Sequence, residues 1–240
     1  MSWRLRRYAS LPSTSDLCVQ LARGGEPDGL AVLADRQTEG RGSRGRTWES
    51  PPGALCLSVL LRPREPPAAS GQWALLAALA LYGALAPFAP GEALSLKWPN
   101  DVLLAGRKLG GILLDAAMGA SGLDWLVIGF GANLEAAPEG AGALPTAPEP
   151  SQVATSVLEH LDRWRRVRLV DGWAPVRAAW LARAHPAGTP LRVRTATLDV
   201  GGAFDGLAEN GALLLRVPEG SGAGRVRAFA TGDVLLDREG

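Results

Sequence analysis

The seventeen residues 36–52, RQTEGRGSRGRTWESPP, stand between two apolar stretches that read as β-strands, Leu30–Ala34 and Ala54–Leu61. This strand–loop–strand setting constrains the fold more than any other feature of the chain. A dinucleotide or P-loop site runs from a strand into a helix, so a nucleotide fold of the Rossmann kind is not expected. Within the loop Gly40, Gly42 and Gly45 are interleaved with Arg41, Arg44 and Arg46 and closed by Trp48. Glycine lets backbone N–H groups approach a ligand, and arginine presents planar forks matched to carboxylate or phosphate oxygens. The loop suits an anion, unless it is only a solvated basic surface; the rest of the chain decides between these readings.

The 240 residues are 47% hydrophobic, enough for one large domain or one domain with a small appendage, and the formal net charge is +1. A chain so nearly neutral generates no long-range field that would gather nucleic acid or anionic lipid, so an anion site must be local. The amino-terminal MSWRLRRYAS is basic, but no apolar run or small-residue cleavage site follows it. The longest apolar run, Ala74–Ala86, is too short to cross a bilayer and reads as a buried helix. A cytoplasmic protein with no membrane or nucleic-acid partner is expected. Cys18 and Cys56 read as buried free thiols, and His160 and His185 are too few to complete a zinc site with them.

Trp3–Tyr8 reads as an edge strand and Leu11–Arg23 as a helix, in which Ser13 or Thr14 can serve as cap. Gly71–Ala86 is the core helix. Leu94–Trp98 is a strand that runs into Lys97-Trp98-Pro99-Asn100-Asp101, Val102–Leu104 and Lys108–Asp115 form a hairpin about Ala105-Gly106, and Leu123–Ile128 is another strand. Several strands joined by hairpins, with few helices between them, predict an α+β fold with a mixed or largely antiparallel sheet. Lys97, at the end of an apolar strand, needs a partner: either Asp101, as a structural pair, or an anionic ligand.

Ser151–Val167 and Asp171–Ala184 have helical spacing of Leu158, Leu161, Trp164, Trp173, Val176 and Trp180 and read as core helices. From Gly188 onward the chain alternates, with turns expected at Gly201-Gly202 and Asn210-Gly211, and four or five short strands are expected to form a small β-barrel. The domain reading is residues 1–187 followed by residues 188–240.

Four segments together resemble the biotin protein ligases: PSTSD at Pro12–Asp16, QTEGRGSRGRTW at Gln37–Trp48, KWPNDVLLAGRKLGGIL at Lys97–Leu113, and GFGANL at Gly129–Leu134. They occur in the family's order and at about its spacing. The resemblance implies a class II aminoacyl-tRNA-synthetase-like catalytic domain, a carboxy-terminal SH3-like domain, and a two-step reaction. Biotin and Mg-ATP form biotinyl-5′-AMP and pyrophosphate; a lysine of a biotin carboxyl carrier protein or domain then attacks the mixed anhydride. Two anions must meet in the first step, and one well-aimed donor in such a site is worth about 3 to 4 kcal/mol.

The resemblance places Ser13, Thr14, Ser15 and Gln37 at the ureido ring of biotin, with Gly40 and Arg41 over its carboxylate and valeryl chain. Lys97 would bridge carboxylate and α-phosphate as the central cation, with Arg41 and Arg46 assisting. Arg44, Arg46, Asn100 and Lys108 would serve the nucleotide, Trp48 would stack on adenine, and Asn133 would reach its edge. Gly110 and Gly111 would line the other wall. Residues 135–150 are either a flexible linker or an adenylate-side lid in which Leu144 covers the base. ATP and Mg²⁺ are required, with Mg²⁺ held mainly by phosphate oxygens and no protein ligand assigned.

Two departures from the family pattern stand out: Ser43 where an arginine is usual, and Ser15 where Asn or Gln is usual. Arg44 is expected to compensate for Ser43 by a shift of loop register. No room remains for the amino-terminal DNA-binding module of some members, so the monofunctional type is expected; a homodimer is compatible with the sequence. A lipoate or octanoate ligase of related fold and a non-catalytic biotin sensor are the competing readings.

Overall fold

A computed structural model describes residues 2–63, 65–66, 70–91, 93–120, 122–219 and 224–236. Its larger sheet contains β1 (Arg4–Tyr8), β2 (Leu30–Ala34), β3 (Leu55–Leu61), β4 (Leu94–Lys97), β5 (Asp101–Leu104), β6 (Arg107–Gly119) and β7 (Gly122–Ala132), in the spatial order β1-β2-β3-β7-β6-β5-β4. Only β1 and β2 are parallel; every other pair is antiparallel, so the expected mixed sheet is observed. The turn at Ala105-Gly106 has positive φ at both residues, 48° and 76°, the geometry that matches the twist of a two-residue hairpin.

Side chains on a strand alternate between faces, and here the two faces serve different purposes. Leu55, Leu57, Val59 and Leu61 of β3, with Ile128 and Phe130 of β7 and Ile112 of β6, belong to the main core. That core is completed by α2 (Ser70–Leu85), α3 (Pro150–Asp171) and α4 (Trp173–Leu181). On the opposite face α1 (Thr14–Arg23) packs through Cys18 and Ala22 against Leu30, Val32, Leu60, Trp125 and Val127. The intervening positions of that face, Ser58, Gly111, Gly129 and Gly131, are small, and a cavity lies over them.

The segment Ser70–Phe88 is long and apolar enough to cross a bilayer by length and composition, but it is packed as core, with ten buried residues in α2. It is apolar all round because α3, α4 and the sheet surround it. The α3 helix begins at Pro150, where the missing N–H costs nothing, and Gly172 at φ 83° separates it from α4.

The second sheet consists of β8 (Pro190–Arg194), β9 (Asp199–Leu207), β10 (Leu213–Val217), β11 (Arg225–Phe229) and β12 (Asp233–Leu236), ordered β11-β10-β9-β8-β12. Gly201-Gly202 is not a turn: both residues lie inside β9, where Gly202 allows the close approach of Arg216, and the chain reverses at 195–198 instead. The turn at Asn210-Gly211 is present. Among the described residues β11 and β12 are not paired, so this sheet is open and a closed barrel is not observed. Trp98 Nε1 donates to Gly211 O at 3.0 Å and Gln72 Nε2 to Glu209 O at 2.7 Å, fastening the second sheet to the first unit.

Both cysteines are buried free thiols. Burial pushes the Cys18 thiol up to about 12, and burial also raises that of Cys56 despite its hydrogen bond to Ser50. Both are expected to stay silent toward a soluble thiol reagent at about pH 8 and to react together on unfolding; a fast native-state reaction at either position would contradict this packing.

Candidate active site

The cavity over this patch of the sheet is lined by Thr14, Ser15, Arg41, Gly42, Ser43, Trp48, Leu57, Ser58, Asn100, Lys108 and residues 111–113 and 129–131, and it encloses about 40 Å³. Its polar end is a chain of hydroxyls. Thr14 donates from both N and Oγ1 to Gln37 Oε1, at 2.8 and 3.0 Å. Its proton being spent there, Ser58 must donate to Thr14 Oγ1 at 2.8 Å, and Ser15 to Ser58 Oγ at 3.0 Å. The direction of the chain leaves hydroxyl lone pairs for a ligand, so this end accepts from N–H groups. Gly129 is required here, since a Cβ would stand 2.6 Å from Ser15 Oγ.

Two of the residues expected at this end act behind it. Ser13 is the N-cap of α1, accepting from Asp16 N at 3.3 Å, and it does not line the cavity. Gln37 also lies outside the lining; its oxygen is filled by Thr14 and its Nε2 donates to Ser50 Oγ, so it holds Thr14 in place. Gly110 is likewise behind the wall, where a Cβ would meet Gly131 O at 2.7 Å, while Gly111 is on it.

The glycine–arginine loop folds as a small hairpin, with Gly42 N donating to Arg46 O, Trp48 N to Gly40 O, and a bridge between Arg41 and Thr47. Gly40, Gly42 and Gly45 have dinucleotide-fingerprint spacing, yet the loop returns into β3, so no helix N-terminus faces the cavity. Gly40 is obligatory because a Cβ would lie 2.3 Å from Trp48 O. Arg41 lines the cavity and is clamped by Asp16 at 2.6 Å and Asp115 at 3.1 Å. These partners, outweighing the opposing effect of desolvation, raise its already high pKa. The expected compensation of Ser43 by Arg44 is not found. Arg44, at φ 58°, turns away to Asp233, and the guanidinium beside Ser43 is that of Arg46, which donates to Ser43 Oγ at 2.9 Å and lies 3.4 Å from Asp233.

Of the two partners open to Lys97, the structure shows Asp101. Lys97 pairs with Asp101 at 3.3 Å, does not line the cavity, and faces His185, whose pKa is lowered by burial and then by the charge of Lys97. Lys108 reaches Asp101 from the other side at 2.7 Å and does line the cavity. The reason is the hairpin: β5 carries Asp101 between β4 and β6, and the lysine on β6 is the one that stands over the open glycines. Asp101, 8% exposed, thus sits between two ammonium groups and leaves a net positive charge facing the cavity. Asn100 lines the wall, but its Nδ2 is bonded to Ile112 O, and Ile112 N donates to Asn100 O. It fixes β6 with one N–H of that nitrogen and keeps the other free.

Beyond Trp48 a second compartment of about 260 Å³ is lined by Gly42, Ser43, Arg46, Trp48, Lys108, Asn133, Pro138 and Ala141. Trp48 is the partition, its indole seated on Gly131, with Lys108 Nζ 5.6 Å from the ring centroid. Two buried polar atoms are unpartnered here, Trp48 Nε1 and Asn133 Oδ1; the Asn133 Nδ2 is bonded to Gly142 O. Residues 138 and 141 face the compartment, whereas Leu144 is turned into the main core and hydrogen-bonds Asn133 O, so it does not cover the site.

A model of the Biotin/lipoate A/B protein ligase family matches residues 9–133, which hold both compartments apart from Pro138 and Ala141. The chain belongs to this family. Its ligase relatives include a biotin--[acetyl-CoA-carboxylase] ligase of Paracoccus denitrificans, 41% identical over 203 residues, spanning 79% of this chain and 85% of the relative. A second, from Mycobacterium tuberculosis, is 33% identical over 252 residues, spanning 97% of this chain and 89% of that one. The biotin protein ligase of Aquifex aeolicus, solved in complex with biotin and ATP, superposes with a TM-score of 0.82 at 26% identity, covering 98% and 99% of the two chains.

Ser58, a cavity-lining hydroxyl, is not singled out by any sequence motif, because it lies in an otherwise apolar strand; a lone hydroxyl inside ALCLSVLL is its signal. The seat of Trp48 gives a test. A Cβ at Gly131 would stand 2.5 Å from Trp48 Cε2. Gly131→Ala is expected to unseat the indole and speed tryptic cleavage within residues 41–46 by about fivefold, with the core intact. Unchanged cleavage would show that the loop does not depend on this contact.

Proposed function

We propose that the chain is an ATP-dependent biotin protein ligase that activates biotin to biotinyl-5′-AMP and transfers it to a lysine of a biotin carboxyl carrier protein or domain. The observation that carries this reading is the meeting of two unlike compartments at Lys108. One is a hydroxyl-lined cavity that accepts from N–H groups, as the ureido ring of biotin requires. The other has an aromatic wall and an orphaned amide oxygen, which suit the exocyclic amine of adenine. Gly42, Ser43, Trp48 and Lys108 are common to both.

In this reading Thr14, Ser15 and Ser58 hold the ureido N–H groups, and the valeryl chain runs over Gly111 and Gly129 toward Lys108. The ammonium lies between the biotin carboxylate and the α-phosphate, so the two anions approach without mutual repulsion. A carboxylate oxygen forms the bond to α-phosphorus, and the bond to pyrophosphate breaks with its electrons. Arg41, fixed by Asp16 and Asp115, shields the cavity mouth, and Arg46 serves the phosphates. In the second step the carrier amine attacks the acyl carbon, AMP leaves, and the amine loses a proton. Asp101 keeps Lys108 in place throughout, and Lys97 neutralises the rest of that carboxylate.

Mg²⁺ would neutralise the leaving pyrophosphate. It would be carried mainly by the nucleotide's phosphate oxygens. The carrier can approach along β6, since β5 pairs with it only as far as Gly111 and the strand continues past the cavity to Gly119. The same free edge could join a second copy. We assign catalysis to residues 1–187 and a supporting role to residues 188–240, and place the enzyme in the cytoplasm, acting on neither nucleic acid nor membrane.

Pyrophosphate release with biotin, lipoate and octanoate tests the reading directly: release with biotin alone is expected, and silence with all three would favour a sensor. Lys108→Ala should lower adenylate formation by about a hundredfold or more, and Lys97→Ala by about tenfold or less. A reversed order would return the central role to Lys97. Ser58→Ala, which breaks the hydroxyl chain, should raise the KM for biotin about tenfold while leaving that for ATP near its original value; equal effects on both would argue against the assignment of the two compartments.

A further inference from the structure

The tip of the glycine–arginine loop is held by a residue far away in sequence. Arg44 and Arg46 converge on the carboxylate of Asp233, the first residue of β12 in the second sheet. Within its own sheet Arg194, its partner in the backbone register, sends its guanidinium to Asp199, and Arg192 reaches the same carboxylate. The place of Asp233 is set by Gly232, at φ 157°, where a Cβ would stand 2.8 Å from Val193 Cγ1. The base of the loop is fastened separately, by Arg41 to Asp16 of α1 and Asp115 of β6. The loop is therefore a strap tied at its base to the first unit and at its tip to the second.

We propose that Asp233 is a positioning residue for ligation, contributed by the second sheet, which holds the strap closed over the activated intermediate. This rests on the ligase reading above. Arg44, whose guanidinium does not reach the cavity, is the permanent tie. Arg46 is the exchangeable one: it is the more distant from Asp233 and already rests on Ser43 at the partition, so it can pass from carboxylate to phosphate while Arg44 keeps the tip down. In a chain with Ser43 where a further arginine is usual, retention of the adenylate then depends on a carboxylate outside the ligand-binding unit.

The test uses the full chain and two measurements. Amide hydrogen exchange over residues 40–48 without ligand reads the strap itself, and the rate at which preformed biotinyl-adenylate leaves the enzyme reads its consequence. Asp233→Asn is expected to speed both by about fivefold, and Asp233→Glu to stay within about twofold of the parent. Arg44→Asp should resemble Asp233→Asn, and the exchanged pair Arg44→Asp with Asp233→Arg should restore slow exchange and slow release. Parental values for Asp233→Asn in both measurements would overturn the proposal, as would an exchanged pair no slower than either single variant. If the parent releases no pyrophosphate with biotin and ATP, the ligase reading fails instead, and amide exchange alone still decides whether Asp233 ties the strap.

Discussion

Everything in the site depends on the two-residue alternation of three adjacent strands. On β3, β7 and β6 one parity supplies Leu57, Val59, Ile128, Phe130 and Ile112 to a closed core, and the other supplies Ser58, Gly129, Gly131 and Gly111 to an open floor. A shift of one residue in β3 would turn Ser58 into the core and press leucine over the floor, and one in β6 or β7 would bring isoleucine or phenylalanine there. The register is held from the core side, where α2 and α3 cover the apolar parity. The floor of the cavity is thus the reverse of a well-packed core, and its rigidity comes from the residues packed on that other side.

The same alternation explains what could be read from the chain and what could not. Strands, the core helix and the mixed sheet followed from apolar runs and turn residues, because those patterns carry their own local meaning. The motifs likewise marked the right neighbourhood. Which of two lysines in KWPNDVLLAGRK faces the cavity depends on how β4, β5 and β6 stack in space, and nothing local distinguishes Lys97 from Lys108. Ser13 and Ser58 differ in the same way: the hydroxyl inside a recognisable motif is the helix cap that the sequence allowed, and the one inside an apolar strand lines the cavity. Leu144 looked like a lid because its segment lacks periodicity, yet a single apolar side chain in such a segment is well suited to anchoring it to the core.

Electrostatics in this molecule works by sharing counter-charges. Asp101 takes two lysines, Arg41 takes two aspartates, and Asp233 takes two arginines. Each exposed pair contributes little to stability on its own, about 1 kcal/mol or less. Their value is geometric: a shared carboxylate holds a cation in position without fully neutralising it, so the cation can still respond to an anionic ligand. Burial makes this strongest at Asp101, where water cannot screen the arrangement as it does at Asp233.

The graded exposure of these three clusters sets an order for what can move. Asp101 and its lysines lie on the β4–β5–β6 strands inside the sheet, so in the proposed reaction Lys108 is held in place before any ligand arrives. Arg41 spans two rigid elements, α1 and β6, and can let go of one aspartate while the other still holds it. The contact of Arg46 with Asp233 is the most exposed and the longer of the two made there, so it is the least costly to exchange. A site that must admit two substrates, seal an anhydride and then open to a protein benefits from this gradient: the charge that stabilises the reaction is fixed, and the charges that govern access are those most easily released.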